Sequence, residues 1–255
     1  MEEILKTSDR QKETQNELVF SYMTLRNLIG FCGMLLPIVL VVFTKEENGL
    51  RVQPSISDYY YTNNGDILVA ILCILGTFLI TYNGYDWKEK VCTITAAVCG
   101  LGVAFSPTSS DDKTYASSVH MSHSTVPEIW GIERHLIFAA LFFIALSIVS
   151  LFFFPKSDKE KSHLDAAGKK TKKGKRNIVY KICGWIMLCC VAVLALHFII
   201  KPKVDTFPFV FIFESIALEA FALSWLTKGE TLWPDETHYM VRGYQKIKHV
   251  LQKNK

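Results

Sequence analysis

Charge is what this sequence lacks most. Only 20% of its residues are Asp, Glu, Lys or Arg, against roughly a quarter in a soluble globular domain. The shortfall is concentrated, because five of the six longest apolar runs hold no charged side chain. Half of the 255 residues are apolar, 13% are aromatic and mean hydropathy is positive at +0.22. That composition excludes a disordered chain. It also leaves too few polar residues to coat the apolar runs as buried helices of a water-soluble protein. The first 20 residues are polar and of mixed charge, with no apolar stretch, so a cleavable leader is not expected and the first apolar run would anchor the chain. None of the seven cysteines (Cys32, Cys73, Cys92, Cys99, Cys183, Cys189, Cys190) falls outside those runs, so no disulfide framework is expected in exported loops. N-x-S/T sequons are absent, as are a Gly-rich phosphate loop, G-x-S-x-G, H-E-x-x-H and a C-x-x-C pair, the commonest marks of nucleotide, ester and zinc chemistry. A nucleic-acid partner is not expected.

What the sequence does hold is six apolar runs, at 27–44, 67–85, 91–106, 136–154, 182–200 and 207–227, each of 16 to 21 residues. A hydrocarbon core about 30 Å thick needs roughly 20 helical residues. Lipid satisfies no backbone N–H or C=O, and the runs lack the alternation of barrel strands, so each must be a helix. The fold class is therefore all-α: a polytopic membrane protein built as a six-transmembrane-helix bundle. A cytoplasmic segment (1–23) precedes the membrane domain (24–227), and a cytoplasmic tail (228–255) follows it. Links of five and six residues, 86–90 and 201–206, imply antiparallel neighbours. The third run is short and carries Thr93, Thr95, Gly100 and Gly102, which places it inside the bundle. Gly30, Gly33, Gly76, Gly100, Gly102 and Gly184 read as close helix contacts, and Pro37 as a kink.

Six spans put both termini on one side. That side receives 22 of the 28 lysines and arginines, and the other receives six, so the termini are assigned to the cytoplasm. Residues 156–176 have almost no large apolar residue and read as a flexible basic linker, within a cytoplasmic segment 156–177. Past residue 227, Met240, Tyr244, Ile247 and Leu251 recur on one helical face among basic residues, the pattern of an amphipathic helix in the inner interface. The expected partners are membrane lipids, with anionic headgroups at the linker and tail.

Unusual residues collect on the outward side: Ser57, Asp58, Tyr59 and Tyr60 before the second run, His135 opening the fourth, His197 near the end of the fifth and Glu214 in the sixth. Intramembrane carboxylates such as Glu214 and Glu219 are a functional signal by default. Five residues apart, they sit about 140° apart around a helix axis, so they do not form one paired-carboxylate site. His135, Asp58 and Glu214 are the donors a zinc ion would take, and Asp66 lies nearby in the sequence of the same face. His120 and His123 lack a second ligand pair at diagnostic spacing. No cofactor is expected.

The phrases SYMTLRNLIGFCGMLLPIVL, PSISDYYYT, GDILVAILCILGTFLITYNGYD and FESIALEAFALSWLTKGE, with the run that opens at His135, together resemble a family of mainly bacterial six-span integral membrane proteins. The Pro-x-Ile-Ser-Asp element is similar, more weakly, to the DRAM/Sfk-type six-span family. The resemblance covers nearly all the runs and excludes the 156–176 linker and the tail. It implies Ser57, Asp58, Tyr59, Tyr60, His135, Glu214, Ser224, Trp225 and Lys228 as recurrent positions, a bacterial cytoplasmic membrane as the location, and no particular activity. At Glu219 the family would carry a bulky apolar residue.

Three functions fit these readings. The leading one is a non-enzymatic protein that binds a lipid or other amphiphile in an outward-opening cavity lined by Ser57–Tyr61, His135 and Glu214. The second is a membrane-embedded lipid hydrolase, with a metal or carboxylate activating water. The third is a transporter or proton-coupled carrier using Glu214 or Glu219, although no inverted repeat or broken helix is visible.

Overall fold

Six α-helices, each reversing the direction of the one before, account for most of the described residues. The computed structural model describes residues 24, 26–44, 52–82, 84, 86–106, 108, 128–129, 132–156, 171–200 and 208–229. The helices are α1 (Arg26–Phe43), α2 (Gly65–Thr81), α3 (Trp87–Phe105), α4 (Arg134–Ile148), α5 (Lys172–Ile200) and α6 (Phe209–Lys228). A 3-10 turn, Ser57–Tyr61, precedes α2, and a π-helical stretch, Val149–Phe153, extends α4. Two-residue strands β1 (Glu128–Ile129) and β2 (Ile132–Glu133) pair antiparallel just before α4, the one addition to the all-helical expectation.

Helix boundaries follow local chemistry that the hydropathy of the runs hides. The second run was expected to reach residue 85, but α2 stops at Thr81 because Tyr82 turns extended. α3 begins at Trp87 rather than 91, because Asp86 accepts the Glu89 N–H at 2.8 Å and caps the helix, satisfying a donor the first turn leaves open. α5 begins at Lys172, ten residues before the expected 182. Thr171 Oγ1 accepts the Gly174 N–H at 3.2 Å, so lysines 172, 173 and 175 and Arg176 are helical, and the flexible-linker reading is corrected there. Residues 157–170 of that linker, the amphipathic tail, the N-terminal segment and the loop with His120 and His123 lie outside the described residues. α1 continues through Pro37.

Small residues set the helix spacing. A Cβ on Gly76 would meet Leu101, on Gly100 and Gly102 it would meet Phe142 and Phe138, and on Gly184 Leu151. Gly30 and Gly33 lie against Leu226 and against Phe221 with Ala222, which fixes α1 on α6. Thus α2 packs on α3, α3 on α4, α4 on α5, and α6 closes on α1. Where α4 widens, the π-helical Ser150 donates to Tyr180 O at 2.8 Å and lies 2.6 Å from Ser224 Oγ. Because the Ser150 proton is spent on Tyr180, Ser224 is the donor of the second bond. Three helices are tied by that buried chain.

The outer surface of the bundle is apolar. Four segments, Arg26–Phe43, Arg134–Phe153, Lys172–Ile200 and Phe209–Lys228, are long and apolar enough to cross a membrane, yet only 22% of the α5 window is buried. Trp185, Ile199, Phe152 and Phe105 stand exposed. Apolar patches of that extent are foreign to water-soluble monomers and are compatible with a membrane protein. α3 opens with a charged turn, Lys88–Glu89–Lys90, before its apolar stretch. It was expected inside the bundle; one face, Thr93, Ala96 and Ala97, is buried there, and Val91, Val98 and Phe105 face out. Of the eleven described lysines and arginines, ten lie toward the end where α1, α3 and α5 begin and one, Arg134, lies at the opposite end with the 3-10 turn.

Candidate functional site

The 3-10 turn lies across one end of the bundle and is held by its own sequence. Ser55 and Asp58 cap each other: Asp58 N–H donates to Ser55 Oγ at 3.0 Å, and Asp58 Oδ2 accepts from Ser55 N–H at 3.0 Å and Ser55 Oγ at 2.9 Å. This is the reciprocal arrangement of a capping box, with Asp in the acidic position. Tyr59 is fully buried, 6.0 Å from the Phe211 ring, and its hydroxyl accepts the Gln53 N–H at 3.4 Å. Both residues therefore build the turn.

Two adjacent residues of that turn then bond to two different helices. Ile56 N–H donates to Glu214 Oε2 at 2.7 Å, while Phe211 N–H, one helical turn earlier in α6, donates to Pro54 O at 2.8 Å. The turn and α6 so exchange one bond in each direction, and the α6 N–H satisfied here is one of those that no helix can pair internally. Ser57 Oγ lies 2.7 Å from His135 Nε2, and His135 Nδ1 lies 2.5 Å from Ser106 O. A carbonyl only accepts, so Nδ1 carries the imidazole proton. Nε2 is then the bare nitrogen, and Ser57 donates its hydroxyl proton to it. His135 is buried.

A second layer of bonds fixes this arrangement. Arg134 Nε donates to Ser106 Oγ at 2.7 Å, Thr108 Oγ1 to Glu133 Oε2 at 3.1 Å, and Tyr61 Oη to Thr108 O at 2.5 Å. Burial pushes the Tyr61 phenol above its usual range, with smaller contributions from Tyr60, Asp58 and Glu133. Below Ser57 and His135 sits a void of about 10 Å³, walled by Tyr60, Leu68, Leu72, Val103 and Ala104. It holds one water at most. An open outward cavity was expected here; the space beneath the turn is instead far too small for an acyl chain.

Of the residues anticipated for the site, Ser57, Tyr60, His135 and Glu214 converge on or beneath the turn. His197 does not: its ring stacks on Phe209, with centroids 4.6 Å apart and an interplanar angle of 16°. Asp58 is turned to Ser55. Among the described residues no group of three His, Cys, Asp or Glu could hold a metal ion, and the zinc donor set of His135, Asp58 and Glu214 is dispersed, each onto a different partner. Glu219 lies half-exposed on α6, with no hydrogen bond or ion pair among the described residues. Ser106 was missed by the sequence reading, though a polar residue followed by proline at the end of an apolar run marks a helix end whose carbonyls need partners. Ser106 supplies its carbonyl to His135 and its hydroxyl to Arg134.

No protein-family model, curated protein or solved structure matches the chain. What the site can do rests on its own geometry: a carboxylate within an apolar helix and a serine–imidazole pair, both fastened to one short turn above largely apolar walls.

Proposed function

We propose that the chain is a six-span integral membrane protein with both termini in the cytoplasm, and that the 3-10 turn is a hydrogen-bonded cap over an outward-facing amphiphile site. The six-span reading is supported by the alternation of the helices, by the exposed apolar faces and by the ten-to-one division of described basic residues. α2 is apolar at 17 residues, and α3 is carried across by its neighbours. The resemblance to the bacterial six-span family belongs to the same reading.

One observation carries the cap. Adjacent turn residues are fixed by Glu214 and His135, two ionisable groups within apolar helices, over a void whose other walls are hydrocarbon. A plug that only sealed the bundle would be built more cheaply from Leu and Phe, since charged groups at membrane depth cost about 2.5–3.5 kcal/mol each. Two hydrogen bonds, by contrast, can open and close, and the opened turn exposes Leu68, Leu72 and Val103 to an acyl chain and Ser57, His135 and Glu214 to its polar end. Photo-crosslinking with a diazirine fatty acid in proteoliposomes tests this. Adducts on residues 57–72 and 103–104, increased by Ser57→Ala, support the cap; adducts confined to the outer surface of α5 and indifferent to that substitution refute it.

A second reading is favoured by the imidazole tautomer. Ser57, His135 and the Ser106 carbonyl stand as nucleophile, base and orienter, the constellation of acyl transfer from a lipid ester. Ser57 Oγ would attack the ester carbon as its proton passes to His135 Nε2, the imidazolium would protonate the departing alcohol, and water would release the acyl group. Labelling of Ser57 by a fluorophosphonate, lost in His135→Gln, supports it; an unlabelled wild-type protein removes it.

A further inference from the structure

At the lysine-rich end, Arg26 opens α1 with its side chain buried, 8% exposed. Its guanidinium carbon lies 5.3 Å from the Tyr82 ring centroid and 5.6 Å from that of Trp225. Trp225 also grips the backbone, its Nε1–H donating to Arg26 O at 2.9 Å. The two rings also pack on each other, with centroids 5.2 Å apart, so both lie to one side of the planar cation. Among the described residues its Nε and Nη2 atoms, both fully buried, have no hydrogen-bond partner. Those two nitrogens project their protons from one edge of the guanidinium, side by side, and that edge is the fork that matches two oxygens of one phosphate or carboxylate.

Neighbouring groups leave the edge unanswered. Glu89, fully buried nearby, accepts from the Tyr82 hydroxyl at 2.9 Å and forms no ion pair with Arg26. Asp86 is taken by Lys156 at 2.6 Å. Lys228 donates to Phe154 O at 3.1 Å and lies 5.6 Å from the Phe154 ring, which in turn packs on Trp225. The result is a buried, permanent cation packed on one aromatic pair, with Lys228 held at the next ring of the same cluster. Aromatic rings offset part of the cost of burying such a charge; two unmet donors on a charged group are a heavier deficit.

We infer that the Nε–Nη2 edge of Arg26 is a receptor for a phosphate oxyanion, bound bidentately beside the Tyr82–Trp225 pair with Lys228 adding charge. The phosphate reaches it either from a phospholipid headgroup or from solution. This site is independent of the cap at the other end, and of whether that cap admits a lipid.

The full-length chain in an uncharged detergent, probed separately with inorganic phosphate and with short-chain phosphatidic acid, provides the test. Native mass spectrometry and the thermal midpoint are the readouts. One adduct and a raised midpoint are expected with phosphatidic acid, with inorganic phosphate or with both; a response to phosphatidic acid alone assigns the headgroup, and a response to both assigns the free ion as a ligand too. Arg26→Gln should weaken binding at least roughly tenfold, the loss of a charge-assisted pair of bonds. Without anion the same variant should melt no lower than wild type, since it removes an unpaired buried charge, and this guards against a folding failure. Arg26→Lys, which keeps the charge and loses the fork, should bind at an intermediate level. Wild-type protein that takes up neither probe, or Arg26→Gln that binds as tightly as wild type, overturns the site.

Discussion

Ser57 and His135, 78 residues apart in the chain, meet at 2.7 Å between Oγ and Nε2, and the tautomer of the imidazole is dictated by a third residue, Ser106. The bond therefore has a direction: serine donates, histidine accepts. Replacing His135 by Gln keeps a side-chain oxygen and an N–H, so both bonds can be rebuilt; replacing it by Phe strands the Ser57 hydroxyl and the Ser106 carbonyl. His135→Phe should destabilise by about 1–3 kcal/mol for each buried group left unmet, and His135→Gln by less. Thermal unfolding in detergent, compared across the two variants, decides this. Equal midpoints would show that the bond holds nothing in place.

Glu214 and Glu219 lie on the same helix and should respond in opposite directions. Glu214 accepts the Ile56 N–H; Glu219 has no hydrogen bond or ion pair among the described residues. Glu219→Leu removes a carboxylate from an apolar span and adds a favourable side chain, a gain of up to about 3 kcal/mol on the insertion scale. Glu214→Leu loses the tie to the turn and should loosen it, seen as faster hydrogen exchange at Ile56 and its neighbours. Pulse-chase insertion assays and exchange mass spectrometry measure the two effects. A destabilised Glu219→Leu protein would mean that this carboxylate has a task.

Glycine substitutions divide by distance. A Cβ at Gly33 would sit 3.4 Å from Phe221, ordinary contact, whereas at Gly102 it would sit 2.6 Å from Phe138 ring atoms. Gly33→Ala should stabilise by up to about 1 kcal/mol through helix propensity. Gly102→Ala must push the Phe138 ring aside and should cost about 1–3 kcal/mol. Denaturation midpoints in mild detergent separate the signs; if Gly102→Ala proves neutral, α3 and α4 are less closely spaced than they stand here.

Much of this architecture is written in hydropathy, because a helix that faces hydrocarbon must be apolar along its whole length. All six runs became helices, and the glycines marked as contacts lie at helix crossings. Boundaries were less legible, since they depend on single hydrogen bonds. Asp86-Trp-Lys-Glu89 and Ser55-Ile-Ser-Asp58 both carry a capping spacing that apolar averaging passes over. Thr171 starts a helix inside a lysine-rich stretch that composition reads as linker. The site was half legible: topology gathers Ser57, His135 and Glu214 at one end, but which atoms meet is tertiary. His197 shares that end and finds an aromatic face instead. Arg26, counted only as a positive charge for orientation, turned out to be buried against two rings.

The pair of Asp86 and Lys156 makes an acid-sensitive clasp between the start of α3 and the end of α4. The Lys156 hydrogen bond, and after it the Glu89 N–H, hold the Asp86 carboxyl below its usual range. A carboxylate depressed in the folded state stabilises that state fully above its ordinary value of about 4. The contribution falls away as pH drops through the lower folded value, when protonation releases both partners. The pair is solvent-exposed, so its effect is small and screened by salt. Wild-type protein should therefore lose thermal stability on acidification below about pH 4 more steeply than Asp86→Asn, in which the amide retains the cap and has no charge to lose. The difference between the two curves should shrink in high salt. Parallel curves at low salt would mean that the carboxylate serves α3 as a cap alone and that Lys156 adds nothing to it.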